Sequence, residues 1–430
     1  MFASDSLPEI QFIPLNSLTE SIAAGSIATE STESTESAES VESLQSAPSS
    51  SSVEEISLQA LSKISSSSTP KDSVRTPYGL PQELLPIWDT LSIKQKAAQM
   101  VMVYMSPVDF IVSHEFGGVL VTGHPLRDTG SFKSKIDEIN SRLQIPLIVA
   151  TDQEGGVVNR LSSVSKQWER LPSARDMRRM DSVKIYNLAH KIAQGLNSVK
   201  INMNLAPVLD PSKDYRGKDT FMEESKRSWG ADTANAYKVR AFVKAMSDNG
   251  IICVSKHFPG YDSWTNSDHQ IAVSATSKAK IAKNVEFFRT LAGDIPVTMV
   301  SSVRFIRISN RPAVFEPKIV KMARAMSPET VILTDDLWGV SLRAWVSGTE
   351  RVKSKNYPAK DFKKLVRTAL VAGNDMFMIT YPQKAVEMVN YLAELSRQSD
   401  YYTQRIEESA ARILKMKYKT GLFGDAATAR

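Results

Sequence analysis

Ile251-Ile252-Cys253-Val254-Ser255-Lys256-His257-Phe258-Pro259-Gly260 decides the fold. Five mostly apolar residues run straight into a lysine, a histidine and a Pro-Gly turn. A run this short and apolar reads as a parallel strand covered on both faces. Charges are seldom buried without a partner or a task, so the Lys-His pair at the end of the run marks a place where something happens.

Seven more runs of the same kind lie outward from this one: Gln99 to Val103, Gly118 to Val121, Pro146 to Ala150, Asn202 to Ala206, Val297 to Ser301, Val331 to Thr334 and Asp375 to Ile379. Helical patterns separate several of them, the longest at Lys184 to Lys200 and Thr233 to Asn249. Eight buried strands alternating with helices predict an α/β fold, a (β/α)8 TIM-type barrel. At 430 residues the chain is long for one core unless that core is such a barrel. An open doubly wound sheet is the alternative, but the glycine-rich phosphate turn usual after its first strand is missing.

Active sites of barrels lie at the C-terminal strand ends. Two further runs end as the first one does, in Asp152-Gln153-Glu154-Gly155-Gly156 and in Thr334-Asp335-Asp336-Leu337. Any one cluster could be a helix cap, and Asp336 reads as one. Three at the same end of one barrel read as a site. Of the five histidines only His257 and His269 fall in a polar cluster, so no metal site is expected. A Gly-x-Ser-x-Gly elbow is also lacking. A strand-end carboxylate with a proton-transfer group near it suits glycoside hydrolysis, which requires no cofactor.

Residues 1–77 are different material, with the acidic repeat Thr29 to Ser37 and serine runs at Ser49 to Ser52 and Ser65 to Ser68. Such a segment is expected to be a disordered tail, leaving 78–430 as the barrel domain. Up to Arg75 there are 11 acidic and 3 basic residues, while the whole chain is +6, so the barrel is basic. A basic surface admits nucleic acid or anionic ligands, but no basic-aromatic motif is present, and nucleic acid is not an expected partner. The start of the chain lacks the regions of a secretory signal, and no run is long enough to span a membrane. Cys253 has no possible partner within the chain and reads as a buried, inert thiol. A cytoplasmic monomer acting on a small carbohydrate is expected.

From about Leu91 to Phe423 the chain resembles glycoside hydrolase family 3, and within it the single-domain bacterial β-N-acetylhexosaminidases that trim peptidoglycan fragments. The motifs run in order: Leu91 to Met100, Asp152 to Gly156, Asn204 to Asp210, Lys226 to Gly230, Lys256 to Gly260, Thr334 to Leu337, Ala372 to Asp375, and Arg412 through Phe423. The resemblance implies a retaining exo-β-N-acetylglucosaminidase with Asp335 as nucleophile. It implies that Asp152, Arg160, Arg227, Lys256 and His257 hold the sugar, and that His269, on a mobile loop, is the acid/base.

Several positions depart from the family pattern. The loop reads Gly260-Tyr261-Asp262-Ser263-Trp264-Thr265-Asn266-Ser267-Asp268-His269, with Tyr261-Asp262 for the usual His-Gly. Ser267 replaces the aspartate that orients the histidine, and Asp268 stands directly beside His269. Val157 takes the place of a frequent arginine, and Ser302 that of a histidine after the sixth strand. A β-glucosidase of the family would usually carry a further domain supplying the acid/base. A phosphorylase is a second variant, since a histidine acid/base tolerates phosphate as nucleophile. A catalytically impaired sugar-binding barrel is the alternative of a different class, and the replaced aspartate is its support.

Overall fold

The structure is a computed structural model that describes residues 76–349 and 356–424. The tail expected over residues 1–77 lies outside the described residues except for Thr76 and Pro77.

Eight parallel strands form the barrel: β1 Val101–Tyr104, β2 Gly118–Leu120, β3 Ile148–Thr151, β4 Met203–Asn204, β5 Ile252–Phe258, β6 Val297–Val300, β7 Val331–Thr334 and β8 Phe377–Ile379. Their order in the sheet is β7-β6-β5-β4-β3-β2-β1-β8. Between its two end strands, β7 and β8, a parallel bridge joins Leu333 to Met376, and Thr334 N–H donates to the Met376 carbonyl at 2.9 Å. The sheet therefore closes on itself, and the predicted (β/α)8 barrel is the fold. Strand residues such as Val101, Val119, Val149, Val254, Val297 and Leu333 are all buried, as expected of strands with side chains inside the barrel and helices outside. Each such side chain contributes about 1.5–3 kcal/mol on leaving water.

Helices Ser182–Ser198 and Ala236–Ser247 match the two long helical patterns read in the sequence. Asp181 caps the first, its carboxylate accepting the Lys184 amide.

β5 is longer than predicted. Lys256 and His257 lie inside the strand and not beyond it, and the pairing with β6 slips between Ser255 and Phe258. An irregularity of this kind re-aims the side chains it carries, here the two charged-site candidates.

The opposite end of the barrel is built for stability. The buried Asp375 carboxylate accepts from the Ile332 amide, Ser409 and Arg412, and also pairs with Arg324. It ties the start of β7 to the C-terminal helix Asp400–Lys419. The Asn374-Asp375 motif thus belongs to the frame and not to the site.

Candidate active site

The strand after β3 turns back on itself as a short hairpin, Gln153–Gly155 with Val158–Asn159. Gln153 is buried and organises it. Its amide donates to Asn204 Oδ1 on β4, and its Oε1 accepts from the amides of Arg160 and Leu161. Gly155 has φ +88°, and a Cβ there would stand 2.2 Å from the Pro172 carbonyl, so only glycine fits. The hairpin fixes three side chains at the mouth: Asp152, Glu154 and Arg160.

Glu154 is the centre of a buried ion network. Its carboxylate accepts from Arg227 Nε at 2.7 Å and Nη2 at 2.9 Å, a fork-to-fork pair. Lys256 Nζ lies 2.6 Å from Glu154 and donates at 2.7 Å to Asp152 Oδ1. Burial alone would raise the Glu154 carboxyl, but Arg227 and Lys256 outweigh it and hold it well below the usual range. Burial would likewise lower the Lys256 ammonium, and Asp152 with Glu154 reverses that. Arg227 is swung inward just after Lys226, which takes a left-handed φ of 60° at the end of helix Phe221–Glu224. The Arg160 guanidinium makes no hydrogen bond or ion pair among the described residues.

A second network lies beside the first. Asp210 is fully buried; its Oδ1 accepts the amides of His257 at 2.9 Å and Tyr261 at 2.6 Å, and its Oδ2 meets His257 Nδ1 at 2.7 Å. That contact fixes the imidazole ring and leaves Nε2 as its other polar edge. The Tyr261 ring stands edge-on to the same imidazole. Its hydroxyl accepts the Ser267 amide at 2.7 Å and donates to the Thr265 carbonyl, tethering the loop that carries Asp268 and His269.

Asp335 follows β7 directly. Oδ1 accepts the Asp336 amide at 2.8 Å and Oδ2 accepts from Ser302 Oγ at 2.9 Å. It forms no ion pair among the described residues, unlike Asp152, Glu154 and Asp210. Asp336 does not cap the next helix, Val340–Ser347, whose N-cap is Gly339. It bridges β7 and β8 instead, accepting from the Trp338 and Thr380 amides and the Thr380 hydroxyl. Burial, with a smaller push from Asp335, raises its carboxyl to about 6.

The structure therefore brings Asp152, Lys256 and Arg227 into one network and His257 into a second that starts at the next residue of β5, with Arg160 on the hairpin and Asp335 at the end of β7. His269 is exposed, and its ring makes no hydrogen bond among the described residues. Ser267 is buried and forms no hydrogen bond with it. Trp264 is 59 % exposed, so it does not anchor the loop. Cys253 is buried and its thiol is pushed up by burial, as an inert thiol requires. The sequence reading passed over Glu154, Asp210 and Tyr261 as site residues. The first two stand at the ends of apolar runs, and the strand-end rule used for Asp335 would have found them.

Residues 92–416 match the model of the glycosyl hydrolase family 3 N terminal domain. Beta-hexosaminidase LpqI of Mycobacterium tuberculosis is 25% identical over 374 residues, covering 82% of this chain and 91% of that protein. A beta-hexosaminidase of Alkalilimnicola ehrlichii is 26% identical over 304 residues, 67% of this chain and 81% of that protein. Among solved structures, the β-N-acetylhexosaminidase of Beutenbergia cavernae superposes with a TM-score of 0.64 at 23% identity, covering 76% of this chain and 99% of that one.

Proposed function

The chain belongs to glycosyl hydrolase family 3, and from that premise we propose that it is a retaining, exo-acting β-N-acetylglucosaminidase of peptidoglycan-derived or related amino-sugar glycans. The relatives named as beta-hexosaminidases support the substrate class. The observation that carries the mechanism is the state of Asp335. It is a strand-end carboxylate, held at both oxygens by hydrogen bonds and neutralised by no cation among the described residues. A carboxylate so fixed is positioned to attack, while one clamped in an ion pair is not.

In this reading Asp335 attacks the anomeric carbon and forms a glycosyl ester, which water then hydrolyses. The Asp152–Lys256–Glu154–Arg227 network, with Arg160 and His257, grips the sugar hydroxyls. Asp152 and Lys256 offer both an acceptor and a donor, as a hydroxyl requires. The proton comes from the tethered loop, where Asp268 and His269 stand side by side. No helix among the described residues is long and apolar enough to cross a membrane. The single buried cysteine fits a reducing compartment, and we place the protein in the cytoplasm as a monomer.

The test is release of nitrophenol from 4-nitrophenyl N-acetyl-β-D-glucosaminide by the native chain and by Asp335→Asn. Activity in the first and its loss in the second supports the reading. Binding of N-acetylglucosamine without turnover in either overturns it in favour of a sugar-binding barrel.

A further inference from the structure

We propose that Tyr104 and Tyr381 form a binding site for the second sugar ring of the substrate, the one released when the bond is cut, so that the protein takes a β-linked oligosaccharide; this rests on the hydrolase reading above. The two tyrosines close neighbouring strands of the barrel. Val103 of β1 is paired with Ile379 of β8. Continuing that register by one residue sets Tyr104 beside Thr380, and Tyr381 follows at once. Both therefore stand at the C-terminal rim, the end that carries Asp152 and Asp335. Tyr104 is 36 % and Tyr381 40 % exposed, whereas the three residues before Tyr104 are buried. Neither phenol hydroxyl makes a hydrogen bond among the described residues.

Single exposed aromatic rings are ordinary on a protein surface, but Tyr381 is held as a stray ring is not. It stacks on Trp338, the ring centres 5.2 Å apart and the planes 10° from parallel. Trp338 is itself buried; the Arg343 guanidinium lies 4.6 Å from its ring centre, and Arg343 Nε donates to its carbonyl at 2.8 Å. The Asp336 carboxylate accepts the Trp338 amide at 2.9 Å and the Thr380 amide at 3.1 Å. One carboxylate thus positions the backbone that carries both rings, and it belongs to the residue next to Asp335. The Tyr381 carbonyl also accepts the Lys384 and Ala385 amides where helix Pro382–Ser396 begins. A ring held this firmly loses little freedom when a ligand covers it.

Tyr104 lies on the side of the pocket that the leaving group occupies. Burial, and then the charges of Asp336 and Asp152, raise its phenol; Arg160 opposes them and Asp268 adds to them. Its ring is in reach of the neighbour of Asp335 and of the loop that carries His269. The proton donor faces the leaving oxygen, so a ring close to that loop meets the released sugar. A pyranose ring presents an apolar C–H face with hydroxyls around its edge. A tyrosine matches both, with an apolar ring and a hydroxyl that donates and accepts. Adjacent strands lie about 4.8 Å apart, a spacing that one sugar ring spans.

The experiment measures release of N-acetylglucosamine from N,N′-diacetylchitobiose, which fills the second site, and from methyl N-acetyl-β-D-glucosaminide, which does not. The native chain is compared with Tyr104→Ala, Tyr381→Ala and Tyr381→Phe. Each alanine variant is expected to lose on the order of tenfold in kcat/KM on the disaccharide and less than about threefold on the methyl glycoside. Tyr381→Phe, which keeps the stack, should stay within about threefold of native on both. Equal losses on the two substrates overturn the inference, because the rings then serve the cleaved sugar or the frame. A loss on neither overturns it as well, and a selective loss in only one alanine variant overturns a shared site. If Tyr381→Ala does not fold by circular dichroism, Tyr381→Leu takes its place. A native chain that hydrolyses neither glycoside sinks the hydrolase reading, and calorimetry then decides the second site. Tighter binding of N,N′-diacetylchitobiose than of N-acetylglucosamine, lost in Tyr104→Ala, keeps it; equal affinities remove it. An active native chain whose alanine variants show no selective loss sinks this inference alone.

Discussion

Ser302 Oγ donates a 2.9 Å hydrogen bond to Oδ2 of Asp335, joining the chain after β6 to the chain after β7. With the Asp336 amide on Oδ1, it fixes the plane of the carboxylate. The serine stands where the family resemblance leads one to expect a histidine. It keeps a donor at that position but brings no positive charge. Asp335 is thereby oriented without being paired to a cation among the described residues, as the nucleophilic role proposed for it requires.

Ser302→Ala removes one hydrogen bond to a charged group, worth about 1.5–3 kcal/mol. The carboxylate would then rotate more freely. The expected result is a fall of about tenfold or more in kcat with KM little changed. Steady-state kinetics on the nitrophenyl substrate checks it, and an unchanged kcat would remove Ser302 from the account.

Glu154→Gln leaves Arg227 and Lys256 buried beside a neutral group. Breaking a buried pair from one side costs about 3–5 kcal/mol. The thermal midpoint should drop, and affinity for N-acetylglucosamine should weaken as the two cations lose their positions. The native carboxyl is held below its unfolded range, so its stabilising contribution is present above about pH 4.3 and is lost as the pH falls. Acid denaturation should accordingly be steeper in the native chain than in the variant.

Tyr261→Phe removes the hydroxyl that tethers the Ser267 amide and the Thr265 carbonyl. The core around the ring is kept. Hydrolysis of a poor leaving group should slow by about tenfold, since the proton donor is less well placed. Hydrolysis of a dinitrophenyl glycoside, which needs no proton, should slow less. Equal losses on both substrates would show that the tether serves something other than proton transfer.

Lys417 is buried at the far end of the barrel, donating to Gln99 Oε1 and the Pro146 carbonyl at 2.8 Å each. Burial pulls its ammonium down to about 7. Between that value and the unfolded one near 10.4, the unfolded chain binds more protons than the folded chain. The residue's contribution therefore becomes more favourable as the pH rises through this window, by about 1.4 kcal/mol per unit. Lys417→Met should show the contrast. Its stability relative to native is expected to be best near pH 7 and to worsen toward pH 10, measured by urea unfolding at each pH.

The sequence by itself determined the barrel, because eight short apolar runs separated by helical periodicity admit few other arrangements. It also pointed to a candidate site, since polar clusters at the ends of buried strands have few other uses. Asp152, Lys256, His257 and Asp335 stood out as candidates for that reason, whereas Arg160 and Arg227 were implied only by the family resemblance. Glu154 and Asp210 were written in the same code but their weight was not, because an ion network depends on distances between residues 47 to 102 positions apart along the chain. Only the tertiary structure decided that Lys256 and His257 lie within a strand, that Asp336 seals the barrel instead of capping a helix, and that Tyr261 ties down the loop. Adjacent residues in a turn carry no fixed direction in the sequence; the direction is set by hydrogen bonds to parts of the fold that arrive from elsewhere.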